Sequence, residues 1–424
     1  MTDEIDILST PGGIPVIIER LPFTHSASFS TYFGTGSRDE SDDQAGIAHM
    51  LEHMLFKGTK KRTARQMSED IEAAGGEQNG YTTKEVTAYQ AYALDETAEV
   101  AEDVLADMVL QPLLSKECLD VERNVVVQEI RMLENDPGDY VHVLFNKTLW
   151  GEHPMGRSEA GSVSTVSSFT EEDIRSFFHE RYRPPKLAVV AVGNVDKKQV
   201  MEWASSSFDG LEARSGQDGR SAPVPQARFS IYPRDDKQAY VGIGFPGLSA
   251  VHPDRFAQRL LATLLGMGTS SRLFQEVRER SGLVYEIYAS SGNYTDCGTF
   301  SVFYSTAVKD QERVARLVAK EIARLKKEGL EKGELQRSKH LIKGSYVRRL
   351  ESTESRMIRL GEMFMATGEA IPPEETLRRM DRVTEEEVLK AAEHLLVRNK
   401  LALAMHAPKK ESEEQAKSLE DLDF

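Results

Sequence analysis

The sequence repeats itself across its midpoint, and this constrains the fold more than any other feature. Phe169-Thr170-Glu171-Glu172-Asp173-Ile174 returns 214 residues later as Val383-Thr384-Glu385-Glu386-Glu387-Val388. The same offset carries Lys186-Leu187-Ala188 onto Lys400-Leu401-Ala402, and Gly58-Thr59 returns as Gly268-Thr269 at an offset of 210. Thr-Glu-Glu before an apolar residue is by itself only a frequent helix start. Further matches at nearly one offset imply a duplicated α/β unit. Between the copies, Ser215 to Pro225 reads S-G-Q-D-G-R-S-A-P-V-P, with the Gly, Ser and Pro content of an exposed linker. The expected organisation is one lobe over residues 1–213, a linker over 214–228 and a second lobe over 229–408. A charged, mobile tail is expected over 409–424.

Within the first copy, residues 14–20 and 27–34 are rich in β-branched and aromatic side chains and predict strands. An apolar-periodic stretch from Gln44 to Lys57 predicts a helix capped at its C-terminus by Gly58. Helices are also expected over 63–74, stopped by Gly75-Gly76, and over 95–110, 115–135 and 170–182. Strands are expected over 86–93 and 186–192.

The helix at 44–57 carries the chemistry. It reads I-A-H-M-L-E-H-M-L from Ile47, with His49, Glu52 and His53 in the order H-x-x-E-H. Positions i, i+3 and i+4 share one helix face, so two imidazoles and a carboxylate point the same way. Two neutral imidazoles at this spacing suit a borderline-soft divalent ion, zinc first. The carboxylate beside them can take a proton from a metal-activated water. This order inverts the commoner H-E-x-x-H signature and is called inverzincin.

A catalytic zinc needs a third protein ligand. Glu122 and Glu129 lie seven residues apart, on one face of the helix expected over 115–135, with Val125, Val126 and Val127 between them. The stretch looks apolar enough to be buried, and a buried carboxylate is costly unless paired or metal-bound. At least one of the two is therefore expected to be functional, most economically Glu129 as ligand and Glu122 as its support from behind. At the repeat offset of 210, His49, Glu52 and His53 fall on Arg259, Ala262 and Thr263. The second copy has lost the donors, so only the first can hold the metal.

Bulk properties bound the partners and the setting. Sixty-eight acidic against 53 basic residues give a formal charge of −15, which disfavours nucleic acid as a partner. Two cysteines, Cys118 and Cys297, make neither a disulfide scaffold nor a zinc ribbon and suit a reducing compartment. The acidic start M-T-D-E-I-D-I has no apolar targeting core, and no run approaches eighteen apolar residues. The expectation is a cytoplasmic protein without a membrane span.

The block H-M-L-E-H-M-L-F-K-G-T resembles the zinc-site helix of the pitrilysin/insulinase family of metallopeptidases, in the branch that includes the mitochondrial processing peptidase. The likeness runs through almost the whole chain. In that family the third ligand lies in an E-R-x-V-x-x-x-E context about 76 residues past the second histidine, which Glu122-Arg123 and Glu129 match here. The resemblance implies His49, His53 and Glu129 as ligands of one zinc ion per chain, with Glu52 as general base. Gly75 to Thr82 resembles the family's edge strand, where Asn79 would help hold an extended substrate by strand addition. Gly80 stands where the family usually has Ala, and on its own Asn79-Gly80 would be read as a turn. Leu264 to Phe274 resembles the family's Gly-rich loop and the start of the helix after it. Arg278 and Tyr285 match an Arg/Tyr pair that reaches substrate and could stabilise an oxyanion.

The resemblance implies an α/β (α+β) fold of two homologous lobes, each a mostly antiparallel sheet covered by helices, enclosing a chamber. The expected activity is zinc-dependent endopeptidase action on short or unfolded polypeptides. The alternative is a non-catalytic scaffold or a partner subunit of a peptidase or respiratory complex. Such subunits typically lose ligands, whereas this chain keeps them. Peptide is the expected partner, with neither nucleic acid nor membrane. In the family it resembles, members of this length often work as two chains, either as a homodimer or paired with a related chain. Because this chain carries both the zinc half and the Arg/Tyr half, a homodimer or a monomer is expected.

Overall fold

The computed structural model describes residues 5–213 and 219–408; the expected tail at 409–424 lies outside the described residues. The first half runs β1 (Ile5–Ser9), β2 (Pro15–Arg20), β3 (Ser26–Phe33), α1 (Ile47–Leu55), α2 (Ala64–Ala73), β4 (Glu77–Thr82) and β5 (Thr87–Leu94). It continues through α3 (Ala98–Leu110), α4 (Lys116–Asn135), α5 (Pro137–Trp150), α6 (Val163–Ser168), α7 (Glu171–Arg181), β6 (Leu187–Gly193) and α8 (Lys197–Phe208). The second half runs β7 (Phe229–Pro233), β8 (Gln238–Gly247), α9 (Arg255–Gly266), β9 (Val284–Asn293) and β10 (Gly298–Ala307). It ends with α10 (Gln311–Glu328), α11 (Glu334–Arg349), α12 (Thr353–Thr367), α13 (Pro373–Arg382), α14 (Glu385–Leu395) and β11 (Ala402–Ala407).

Each half builds one sheet, and the two sheets have the same plan. The first has the order β1-β2-β6-β3-β5-β4 and the second β7-β11-β8-β10-β9. Apart from the extra β1, the orders correspond strand for strand. In both, one parallel pair (β2 with β6, β7 with β11) is followed by antiparallel neighbours. The repeated Thr-Glu-Glu segments begin α7 and α14 with the same capping box, Thr170 with Asp173 and Thr384 with Glu387. The structure thus bears out two related lobes with largely antiparallel sheets.

The central strands are apolar on both sides and need a cover on each face. On β6, Leu187, Val189 and Ala191 join the core cluster that includes residues of α1, α3 and α7, while Ala188, Val190 and Val192 join a second cluster with Met357 and Leu360 of α12. Neighbouring β3 alternates in the same way: Phe29 and Phe33 face the first cluster, and Tyr32 faces α12. Gly361 of α12 lies against the Tyr32 ring, and a Cβ there would run into it. In the second sheet, Leu403 and Met405 of β11 face one cluster, and Ala402 and Ala404 face Leu144 and Phe145 of α5.

The compact units are therefore not the two sequence halves. Among the described residues, one comprises residues 5–131, 158–213, 219–220 and 347–373, and the other residues 132–157, 221–346 and 374–408. Each takes its outer covering helix from the other half of the chain: α12 in the first unit, α5 in the second. A break at 214–228 alone does not describe this arrangement.

Burial also leaves one carboxyl in an unfavourable place. Glu102 of α3 is 5% exposed, and burial, reinforced by Glu99, raises its pKa from 4.5 to about 8. A raised folded-state value means that its stabilising contribution is complete below pH 4.5 and is lost as the pH rises through 8. Glu102→Gln is expected to flatten that decline and stabilise the protein at pH 9 by about 1–3 kcal/mol, with little change at pH 4. Urea melts of both proteins across this range check it; parallel pH profiles would contradict it.

Candidate metal centre

Helix α1 is held in place from its N-terminus. Gly46, just before it, takes a left-handed φ of 96°. A Cβ at that position would stand 2.6 Å from the carbonyl oxygen of Ala160. With no side chain at that cap, the buried carboxylate of Glu40 reaches back to accept hydrogen bonds from the amides of Gly46 and Ala48, both at 2.9 Å. A negative charge there also complements the helix dipole. The other end differs from expectation: the C-cap is Phe56, and Gly58, two residues on, bridges Thr63 with a φ of 113°.

On α1, His49 and His53 stand one turn apart with ring centroids 4.8 Å from one another. Helix α4 brings Glu129 to both: its Oε2 lies 3.8 Å from His49 Nε2 and 3.4 Å from His53 Nε2. The three donor atoms lie within 4.8 Å of one another, the single such His, Cys, Asp and Glu group among the described residues. Tetrahedral zinc with N and O donors at about 2.0–2.1 Å needs neighbouring donors roughly 3.3 Å apart. The donor set fits the ion.

The surroundings fit as well. The Nδ1–H of His53 can donate to Glu122 Oε2 at 3.1 Å, which leaves Nε2 as an acceptor facing the Glu129 oxygen. Two lone-pair atoms so placed repel each other unless a cation lies between them. Glu122 is only 3% exposed and is also paired with Lys57 Nζ at 2.9 Å. Burial, with His53 adding to it, lowers the His49 pKa to about 4 and so keeps its ring neutral at pH 7, as a metal ligand must be. The apolar reading of α4 holds only in part, since Val126 is buried while Val125 is 40% exposed and lies on the outer face.

Glu52 shares the face with the two histidines. Burial raises its carboxyl above the ordinary glutamate range, opposed by a hydrogen bond from Thr82 Oγ1 to its Oε2 at 2.7 Å. Thr82 ends β4, the edge strand of its sheet, which pairs on one side with β5. Asn79 lies exposed within that strand, opposite Gln90, with its Oδ1 accepting from the amide of Gly80; the segment is a strand and not a turn. Sequence reasoning did not single out Thr82, Lys57 or Glu40. Thr82 lay inside a segment already of interest, but nothing local marks which hydroxyl meets Glu52.

Arg278 and Tyr285 belong to the second unit. Arg278 sits in a short π-helical stretch (Phe274–Arg280), its guanidinium 4.7 Å from the ring centre of Phe274 and 5.4 Å from that of Tyr285. Tyr285, at the start of β9, is 84% exposed. In the second unit α9 presents Arg259, Ala262 and Thr263 at the repeat positions of the first unit's donors.

Residues 15–162 match the family described as Insulinase (Peptidase family M16), and residues 168–342 match the Peptidase M16 inactive domain. A protein of Streptomyces coelicolor described as an uncharacterized zinc protease is 38% identical over 419 residues, covering 97% of this chain and 91% of its own. The chain belongs to the M16 peptidase family. Another member, also described as an uncharacterized zinc protease, comes from Bacillus subtilis and is 34% identical over 93% of this chain and 96% of its own. Among solved structures, a protease from Helicobacter pylori superposes with a TM-score of 0.88 at 21% identity, covering 96% of this chain and all of that one. A chain of complex III2 from Candida albicans reaches 0.84 at 15% identity over 99% of this chain, a likeness of fold alone. Membership in M16 and the names of the relatives support a peptidase-like function. Among the described residues, no helix is long and apolar enough to cross a membrane.

The Glu40 carboxylate is expected to be a main support of α1. Glu40→Ala removes the acceptor for two buried amides and should cost about 1–3 kcal/mol of stability. Thermal melting measures this; an unchanged melting temperature would refute the capping role.

Proposed function

We propose that this M16 chain is a zinc-dependent endopeptidase that hydrolyses short or unfolded polypeptides. The observation that carries the reading is the convergence of His49, His53 and Glu129 beside a buried Glu52. These three side chains would hold one zinc ion per chain. When bound, zinc supplies a Lewis acid that makes water acidic near neutral pH. Glu52 takes the proton of the attacking water and returns it to the leaving amine. Thr82 engages its Oε2, which leaves Oε1 for the proton. Glu122 and Lys57 fix the His53 ring from behind. The outer edge of β4 has no neighbouring strand among the described residues and suits the addition of an extended peptide, with Asn79 exposed beside it. Arg278 and Tyr285 enter the reading as substrate-binding donors of the second unit. A cytoplasmic setting accords with two free cysteines.

Glu52→Gln keeps the ligands and removes the base. It is expected to slow cleavage of a random peptide mixture, followed by mass spectrometry, by about 10²-fold or more. Zinc content should stay at one ion per chain, and a chelator should abolish cleavage by the parent protein. If the zinc-loaded parent cleaves nothing, the chain is a scaffold or partner subunit instead. Glu122→Ala is expected to weaken zinc binding by about 10–100-fold in competition with a chelating dye. Unchanged zinc affinity would remove Glu122 from the centre.

A further inference from the structure

Arg220 lies in the segment that joins the two sequence halves and is the last residue there that belongs to the first unit. At this point the segment is not a loose connector. Nε and Nη2 of Arg220 fork onto the two carboxylate oxygens of Asp39 at 2.8 and 2.6 Å. Nη2 also donates to the carbonyls of Gly34 at 3.0 Å and Glu85 at 2.8 Å. The Arg220 side chain is 16% exposed and that of Asp39 3%. Forked, charge-assisted pairs are strong polar contacts, and removal of one buried partner leaves the other charge stranded.

Two segments of the first unit meet where Arg220 docks. Residues 34–40 run from β3 toward α1, and residues 83–86 form the turn between β4 and β5. The amide of Ser37 donates to the carbonyl of Thr83 at 3.0 Å, and that of Arg38 to the carbonyl of Lys84 at 2.8 Å. The Arg38 guanidinium meets the Glu85 carboxylate at 2.6 Å, and both are buried. Each segment leads directly to a support of Glu52. Glu40, beside Asp39, caps α1 at the amides of Gly46 and Ala48. Thr82, just before the turn, holds Glu52 Oε2. Arg220 touches the first segment at Gly34 and Asp39 and the second at Glu85, and so ties the two together.

We propose that Arg220 is a positioning residue for Glu52, bracing from the joining segment both the cap of α1 and the strand end that carries Thr82. Without its guanidinium, Asp39 keeps the Gly36 amide at 2.9 Å, and the cross-brace between the segments is gone. The consequence for turnover rests on the proposed peptidase activity; the brace itself does not.

The test compares Arg220→Ala and Arg220→Lys, which keeps the charge and loses the fork, with Val224→Ala, a change at a residue of the same segment that is 79% exposed. In the zinc-loaded full chain, Arg220→Ala is expected to lower kcat for a peptide by about 10–100-fold, with KM within about twofold and zinc still at one ion per chain. Arg220→Lys should lower kcat by about tenfold, and Val224→Ala should match the parent. In a Thr82→Val background the loss caused by Arg220→Lys should shrink by about threefold or more, because one of the two braced supports is already missing. In the metal-free protein, hydrogen exchange at the amides of Gly46 and Ala48 should be faster in both Arg220 variants. Unchanged kcat in Arg220→Lys, a loss confined to KM, or losses that multiply in full with Thr82→Val would overturn the proposal. If Arg220→Ala does not fold, Arg220→Lys alone decides. If the parent cleaves nothing, the peptidase reading falls; faster exchange then still supports the brace, and unchanged exchange overturns it.

Discussion

A central strand that is apolar on both faces has to be covered twice, and much of the architecture follows from that requirement. Strand β6 is buried along its whole length, as are nearly all residues of β3 beside it. Helices α1, α3 and α7 contribute to the core on one side, and α12 closes the other. Because α12 comes from the second half of the chain, the first unit is incomplete until most of the sequence is present. The second unit has the same dependence on α5.

That packing is also what makes a centre out of α1. Ile47, Ala48, Met50, Leu51, Met54 and Leu55 are buried, which fixes the rotation of the helix and turns His49, Glu52 and His53 toward α4 and β4. Glu122 and Glu129 lie on one face of α4, with Val126 and Ile130 anchoring that face in the core. Two carboxylates on one helix thus take different work. The buried one meets the His53 ring, and the half-exposed one lies beside both histidines, which is the division of labour the proposed centre requires. Their depth in the protein separates the roles, since a carboxylate at 3% exposure is tolerable only with the His53 and Lys57 contacts that Glu122 has.

The two copies share a plan and differ in character. The strand orders match, the capping boxes match, and α9 occupies the place of α1 in the repeat, yet its residues there are Arg259, Ala262 and Thr263. A fold needs its buried face conserved in kind, whereas donors on the open face can change without affecting the core. The second copy meets the first requirement and lacks the donors.

The sequence by itself determined what local geometry and spacing can determine. Helical periodicity alone places His49, Glu52 and His53 on one face, and Thr170 and Thr384 announce their helices through short-range capping. Alternation marks the strands, and the offset of 214 residues marks the repeat. Glu129 was legible through its seven-residue spacing from Glu122 and a family likeness. Long-range pairings left no such mark. Thr82 meets Glu52 across 30 residues, Glu40 caps a helix from outside it, and Lys57 reaches a carboxylate on another helix. The crossing of α5 and α12 from one half of the chain to the sheet of the other was equally invisible, because an amphipathic helix records that one face is buried and not which sheet will bury it. Only the tertiary structure decides that, since burial area carries no address and the partner is chosen by shape among all the faces that the folded chain presents.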